Sequence, residues 1–537
     1  MKGLKIFLIG ALLAMSNGYS MSDFEVFLNG FIEKVAVKEL QANKLMWIAE
    51  TTSAQDAFDL LTTANVELSL MFADKGIYEQ LVKWKKENTI KDPILLRQLD
   101  DLIRKFKVNM IPKELIEKIS AKETEIMRVY NTFKPKFNGK SMSEHEIIDV
   151  LKKEKNVEVR KEVWALSKEI GEKLSSLTRD VAKLRNEQAH MLGYRDFFQM
   201  SLELQEIDEN WLFTTFNKLY EKSNAAYIQV IQNINSELSN KYKVKIEELG
   251  PWAFSEPFCQ EDPIESTDLD DLLKNKDMVE LSKQFYSYMG FDIEDIIKRS
   301  DLFERENKNQ HAFCISIDRK KDVRTLQNVK PTIRYMDTLL HEFGHAVYDL
   351  GYNEKMPWLL RTHPSNPITT EAMALFAGRQ AYTPLFLNGF LKVNDKIIAE
   401  KAKNSQKRKQ LLFSRWVLVI TNFEKEFYKD PDQDLNALWW NLVEKYQMIK
   451  APQRKGKQDW AAKYHISMAP VYYHCYLIGE VFASSLDNLF IENTNRIGKI
   501  LKEKLFFSGD SIPWDKTIEN MLNKPFNLDS WLKQYAQ

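Results

Sequence analysis

Cysteine is almost missing: Cys259, Cys314 and Cys475 are the only three among 537 residues, too few for a disulfide framework. Chain breakers are scarce as well. Eighteen glycines and 16 prolines make up about 6% of the chain, against roughly 12% in average usage. That deficit disfavours the many tight turns of an all-β fold and favours long helices. An excess of either charge is also absent, because 76 Lys and Arg face 76 Asp and Glu. No whole-molecule field exists to attract nucleic acid or an anionic membrane, and both become poor partners. Asn-x-Ser/Thr sequons are absent too. What is there, 44% hydrophobic and 28% charged residues, describes a globular chain and excludes a disordered or collagen-like one.

The first twenty residues place Lys2 and Lys5 ahead of the apolar run Ile6 to Met15, followed by the small and polar stretch from Ser16 to Ser20. This is the layout of a secretory signal peptide, with an apolar core too short to span a bilayer. The expected location is therefore secreted or periplasmic, or cytoplasmic if translation starts at Met21. No later segment reaches 18 consecutive apolar residues, so no membrane association is expected once the signal is removed. Helical periodicity dominates the N-terminal half. Val163, Leu166, Ile170, Leu174, Leu177, Val181 and Leu184 form one apolar stripe, predicting a single helix of about thirty residues ending near Gly193. Leu95, Leu99, Leu102, Ile103 and Phe106 predict a shorter one. With no repeat, low-complexity tract or linker, residues 21–537 read as one large, mainly α domain. The minor β element is expected near residues 307–329, where Phe313, Ile315 and Ile317 alternate ahead of a charged turn from Arg319 to Asp322.

Six of the eight histidines fall between His311 and His474. Residues 341–345 read His341-Glu342-Phe343-Gly344-His345. On a helix, positions i and i+4 share one face, so both imidazoles can meet one zinc ion while Glu342 stands beside the attacking water. Pro331 is expected to open that helix and Gly351 to cap it. A catalytic zinc wants three protein ligands and one open position. Glu371, 26 residues beyond His345, is the candidate third ligand, on a helix begun by Asn366 as N-cap and Pro367 as first residue. Glu354 lies closer in sequence but in the connecting loop.

These motifs resemble the angiotensin-converting-enzyme family of zinc peptidyl-dipeptidases and, more distantly, the thimet-oligopeptidase family. The likeness extends over Leu192-Gly193-Tyr194-Arg195-Asp196, the segment Leu249 to Ala253, and the stretch from His311 to about Ala483. The resemblance implies a two-lobed helical metallopeptidase of the gluzincin type, with a deep central cleft, one zinc ion per chain held by His341, His345 and Glu371, and short peptides as substrates. The family's His-Ala pair, 30 residues ahead of the first zinc ligand, is matched by His311-Ala312, which would bind substrate backbone. Its Lys-aromatic-His motif and paired tyrosines are matched by Lys463-Tyr464-His465, Tyr473 and Tyr476. By that match Lys463 and Tyr473 hold the substrate's terminal carboxylate, with Tyr472 competing for the role of Tyr473, while His465 and Tyr476 stabilise the oxyanion. These side chains suit such roles, because a carboxylate in a closed cleft needs a cation and a donor, and a tetrahedral intermediate needs donors aimed at its oxygen.

Departures from the pattern are expected to matter. Phe254 stands where the family has a Gln or a basic residue for the terminal carboxylate. The chloride-sensing Arg is missing between the tyrosines, where His474 and Cys475 stand, which argues against chloride activation. Leu375 replaces an acid that orients a zinc histidine, leaving Asp337, one turn before His341, to do so. His145, His190 and His363 are expected to be structural or surface residues. The function expected is a zinc carboxypeptidase-like protease releasing dipeptides from short peptides, acting as a monomer. The alternatives are an oligoendopeptidase cutting internally and a catalytically silent peptide-binding homologue.

Overall fold

The three longest helices each begin at a side-chain cap. A computed structural model describes residues 22–264, 267–454 and 456–537; the expected signal peptide, residues 1–20, lies outside the described residues. Ser22 opens the helix Asp23–Thr52 by accepting from the Glu25 N–H at 3.3 Å, while the Glu25 carboxylate accepts the Ser22 N–H at 2.8 Å. That reciprocal box satisfies two donors the first turn would otherwise strand. Asp208 and Asp395 cap the two 34-residue helices Glu209–Tyr242 and Lys396–Lys429 through their side-chain oxygens.

The helices bury two principal cores. Near the N-terminus Phe31, Phe72 and Phe106 interlock with ring centroids 5.4–5.6 Å apart. The larger core surrounds the helix Lys396–Lys429, where Trp416, Trp439, Phe423 and Trp460 form a chain of rings. Burying each of these aromatics stabilises the fold by about 2–3 kcal/mol. The chain is mainly α, as its composition implies.

The expected thirty-residue helix is in fact two, Val157–Ser167 and Glu169–Met191. The apolar stripe continues through the break, which is why periodicity could not reveal it. Tertiary contacts impose it: Lys168 is drawn inward over the Phe258 ring at 3.3 Å, and Gly171 abuts the 458–462 segment so closely that a Cβ would lie 2.3 Å from the Gln458 carbonyl oxygen. The three cysteines are free thiols.

Among the described residues strands form only two hairpins. Lys136–Phe137 pairs with Lys140–Ser141 around Asn138 and Gly139, whose φ values of 49° and 78° fit a type I′ turn. The Asn-Gly pair was the overlooked sequence signal. The second hairpin lies inside the expected interval, Phe313–Ser316 antiparallel to Val323–Leu326. Its turn is closed by the Asp318 carboxylate, which accepts three backbone N–H groups. Asn43 of the first helix donates to the carbonyls of Ser316 and Ile317, and Glu39 receives Arg319 in a two-pronged ion pair. The first helix thereby fixes the hairpin whose leading strand follows His311 and Ala312.

Candidate metal centre and substrate cavity

Two helices bring the chemistry together. The first, Ile333–Asp349, is capped by Thr332 and not opened by Pro331; it ends at Leu350 without a left-handed glycine. Gly351 serves packing instead, since a Cβ there would lie 2.4 Å from the Phe506 ring. The second, Ile368–Arg379, begins one residue later than expected. Asn366 still satisfies its end by accepting the Ile368 N–H at 3.0 Å, and its amide donates to the Gln205 carbonyl at 2.9 Å. The two helices pack almost backbone to backbone at Gly344, where a Cβ would fall 2.7 Å from the Ala374 Cα. That glycine, between the two histidines, lets the second helix come near enough for Glu371 to reach them.

The donors converge as a triangle. His341 Nε2 and His345 Nε2 are 3.2 Å apart, and Glu371 Oε2 lies 3.6 Å and 3.7 Å from them. Two imidazoles and one carboxylate within 4.8 Å of one another could hold a metal ion. Glu371 Oε2 and Glu342 Oε2 are both buried without a hydrogen-bond partner. An orphaned carboxylate oxygen of Glu371 facing a nitrogen pair is costly unless a cation joins them, so the set fits a zinc ion.

The supporting contacts differ from those expected. His345 Nδ1 lies 2.8 Å from Thr370 Oγ1; with Nε2 directed into the triangle, Nδ1–H is the donor. Tyr472 donates its hydroxyl to Glu371 Oε1 at 2.5 Å. Among the described residues no hydrogen bond joins Asp337 to a histidine: its carboxylate is paired with Lys409 across to the helix Lys396–Lys429, and it acts on His341 only through its charge. Burial holds the His341 imidazole down at about 4, and pushes His345 well below its ordinary range. Burial raises Glu371 to about 8. Glu342 is pushed well above the carboxylate range by burial and then by Glu371. Neutral imidazoles and crowded carboxyls make a site short of positive charge.

His341 and Glu342 line a cavity of about 1100 Å³, walled also by the first helix at Asn43, Met46 and Glu50, by His311 and Ala312, and by residues between Ser255 and Ile264. Lys463, 5% exposed, projects its Nζ among Phe258, Trp416 and Tyr473, 5.0–5.6 Å from their ring centres, and forms no ion pair among the described residues. Tyr473 is 4% exposed and packs 4.9 Å from the His465 ring. Tyr476 brings its hydroxyl 3.5 Å from His465 Nε2, and His465 Nδ1 is buried without a partner. Burial, then Lys463, keeps His465 neutral; burial, then Glu371, keeps the Tyr476 hydroxyl protonated. His311 stacks on Tyr464 and its Nε2 lies 3.2 Å from the Tyr130 hydroxyl and 3.6 Å from Glu144. Phe254 is in the core, away from the cavity. His145 is buried against Glu304, and also lines the cavity, whereas His190 and His363 contact backbone carbonyls.

Thr370, Tyr130 and Glu144 escaped the sequence reading. No local pattern marks a threonine or tyrosine whose role is to touch another side chain.

The family model described as angiotensin-converting enzyme matches residues 20–253 and 252–535. The chain is similar to the angiotensin-converting enzyme of Theromyzon tessulatum, 21% identical over 93% of this chain and 88% of that protein. To that of Haematobia irritans exigua it is 25% identical over 39% of this chain and 38% of that protein. The enzyme of Rattus norvegicus is 20% identical over 96% of this chain, which spans only 42% of the rat protein's length.

Proposed function

The chain belongs to the angiotensin-converting enzyme family, a family of peptidases, and from that premise we propose that it is a zinc-dependent peptidase releasing dipeptides from the C-termini of short peptides. The observation that carries the reading is the convergence of His341, His345 and Glu371 beside the buried, unpartnered oxygen of Glu342.

The three donors would hold the zinc ion, which supplies Lewis-acid polarisation of a carbonyl and lowers the pKa of water toward neutrality. Glu342 removes the proton from the attacking water and returns it to the leaving amine. Its place beside the first ligand on one helix turn suits both transfers. Tyr476 and His465, both neutral donors, stabilise the oxyanion of the tetrahedral intermediate. Lys463 and Tyr473 hold the substrate's terminal carboxylate. An ammonium group buried among rings, in no ion pair among the described residues and offset only by the more distant Glu144 and Glu256, can accept an anion, which supports that role. His311 and Ala312 bind substrate backbone. Tyr472 is not an anchor in this reading, since its hydroxyl is committed to Glu371.

Peptides are the expected substrates, and folded proteins should resist a site at the bottom of a cavity. A single catalytic domain over 21–537, a monomeric state and export by residues 1–20 belong to the same proposal. Mass spectrometry of fragments from a peptide mixture, with and without chelator, tests it. Chelator-sensitive release of C-terminal dipeptides is expected. Cuts at internal positions would favour an oligoendopeptidase, and no cleavage with metal present would leave a silent peptide-binding homologue.

A further inference from the structure

Tyr472 precedes the helix Tyr473–Glu492, and its hydroxyl donates to Oε1 of Glu371 at 2.5 Å. The other oxygen, Oε2, faces the histidine pair and has no partner. The two oxygens of one carboxylate therefore have separate duties. The same tyrosine ring meets Tyr476 edge-on, with centroids 5.2 Å apart.

The turn that presents Tyr472 is itself strained. Val471 has φ of 52°, in the left-handed region that a β-branched residue avoids. Two contacts hold it there: its N–H donates to Glu424 Oε1 at 2.7 Å, and its carbonyl accepts from Gln205 Nε2 at 3.0 Å. Glu424 is 2% exposed, so this clamp is built into the interior. Strain of this kind persists only where surrounding structure over-determines the backbone, and it gathers at sites that need a side chain aimed. Packing a tyrosine against a helix needs no such turn. Delivering a hydroxyl to one particular carboxylate oxygen does.

We propose that Tyr472 is a positioning residue of the metal centre: by occupying Glu371 Oε1 it makes the carboxylate a one-oxygen ligand and keeps the fourth coordination position open for chemistry. A carboxylate free to swing could offer both oxygens and fill the corner a catalytic zinc must leave vacant. Contacts of this outer kind orient ligands in metal sites generally. The inference rests on the metallopeptidase reading.

Tyr472→Phe removes the hydroxyl and keeps the ring against Tyr476; Tyr472→Leu removes both. Each is prepared as the full chain with Co²⁺ in place of zinc, and melting of the metal-free form by circular dichroism checks that it folds. In Tyr472→Phe the visible absorption should weaken, as four-coordinate cobalt gives way to a higher coordination number. With zinc, kcat should fall at least tenfold at unchanged KM. Tyr472→Leu should show the same spectrum. An unaltered spectrum with kcat within twofold of the parent overturns the proposal. So does a change confined to Tyr472→Leu, because then the ring matters and the hydroxyl does not. A wild-type protein that binds no cobalt or zinc, or cleaves no peptide, sinks the metallopeptidase reading instead.

Discussion

Gly344→Ala tests whether the metal centre depends on the close approach of two helices. The added Cβ would lie 2.7 Å from the Ala374 Cα and 3.2 Å from the Ala374 nitrogen, both backbone atoms that cannot rotate away. Relaxed carbon contacts lie near 3.5–4.0 Å, so the helices must part by about 1 Å. Two effects on stability oppose each other. Alanine in a helix interior gains about 1 kcal/mol over glycine, whereas overpacking costs about 1–3 kcal/mol. The metal-free fold should thus lose no more than about 2 kcal/mol. Ligand geometry is far less forgiving, since metal sites hold their distances to about 0.2 Å. Moving Glu371 by about 1 Å from a histidine pair set 3.2 Å apart should weaken zinc binding at least tenfold. Competition with a chromogenic chelator measures the affinity, and hydrolysis of a quenched peptide at limiting zinc should fall in parallel. A variant that melts normally and binds zinc as tightly as the parent would refute the argument that Gly344 exists to bring Glu371 within reach.

Other outcomes follow from the same geometry. Glu342→Gln should bind zinc as the parent does, because Glu342 is not one of the three converging donors, yet lose about 10²–10⁴ in kcat; near-native turnover removes it as the proton carrier. Tyr476→Phe should lower kcat about 10²–10³ with little change in KM, the loss seen when one oxyanion donor is removed, and steady-state kinetics separates the two. Lys463→Met should raise KM for peptides with a free C-terminus and leave amidated peptides, already poor substrates, unaffected; equal loss on both would show that Lys463 is not the carboxylate anchor. For pH, burial holds Glu424 at about 8 against 4.5 for an ordinary carboxyl, so the folded chain keeps a proton that the unfolded chain releases. That stability is complete below about pH 4.5 and lost as pH rises through 8. Calorimetry of the zinc-free protein at pH 5 and pH 8 should show a smaller fall in Tm for Glu424→Gln than for the parent, and an equal fall would exclude Glu424 as the source.

The sequence carried everything that depends on local spacing. Few glycines and prolines implied helices, and His341 with His345 had to share a helix face because four residues nearly complete a turn. The alternation of Phe313, Ile315 and Ile317 marked the hairpin interval. Spacing says nothing about which distant groups meet. The break at Lys168 was hidden because the apolar stripe runs through it, and the Lys409 partner of Asp337 could not be foreseen because Lys409 lies on another helix. The choice between Tyr472 and Tyr473 was open for the same reason. Adjacent residues at a helix start point in different directions, and tertiary structure puts the Tyr472 hydroxyl on Glu371, which leaves Tyr473 as the proposed carboxylate anchor.

The amino-acid order by itself determined the helical class, the paired imidazoles and the glutamate beside them, since each follows from a period of 3.6 residues. Tertiary structure alone decided how Glu371, already a candidate in the sequence, reaches the pair, that Thr370 and Tyr472 contact these groups, and that Lys463 sits among rings in no ion pair among the described residues. Those outcomes come from helices pressed together at Gly344 and from chain segments about a hundred residues apart in sequence. Local propensity fixes which face a side chain occupies, and packing fixes what that face meets.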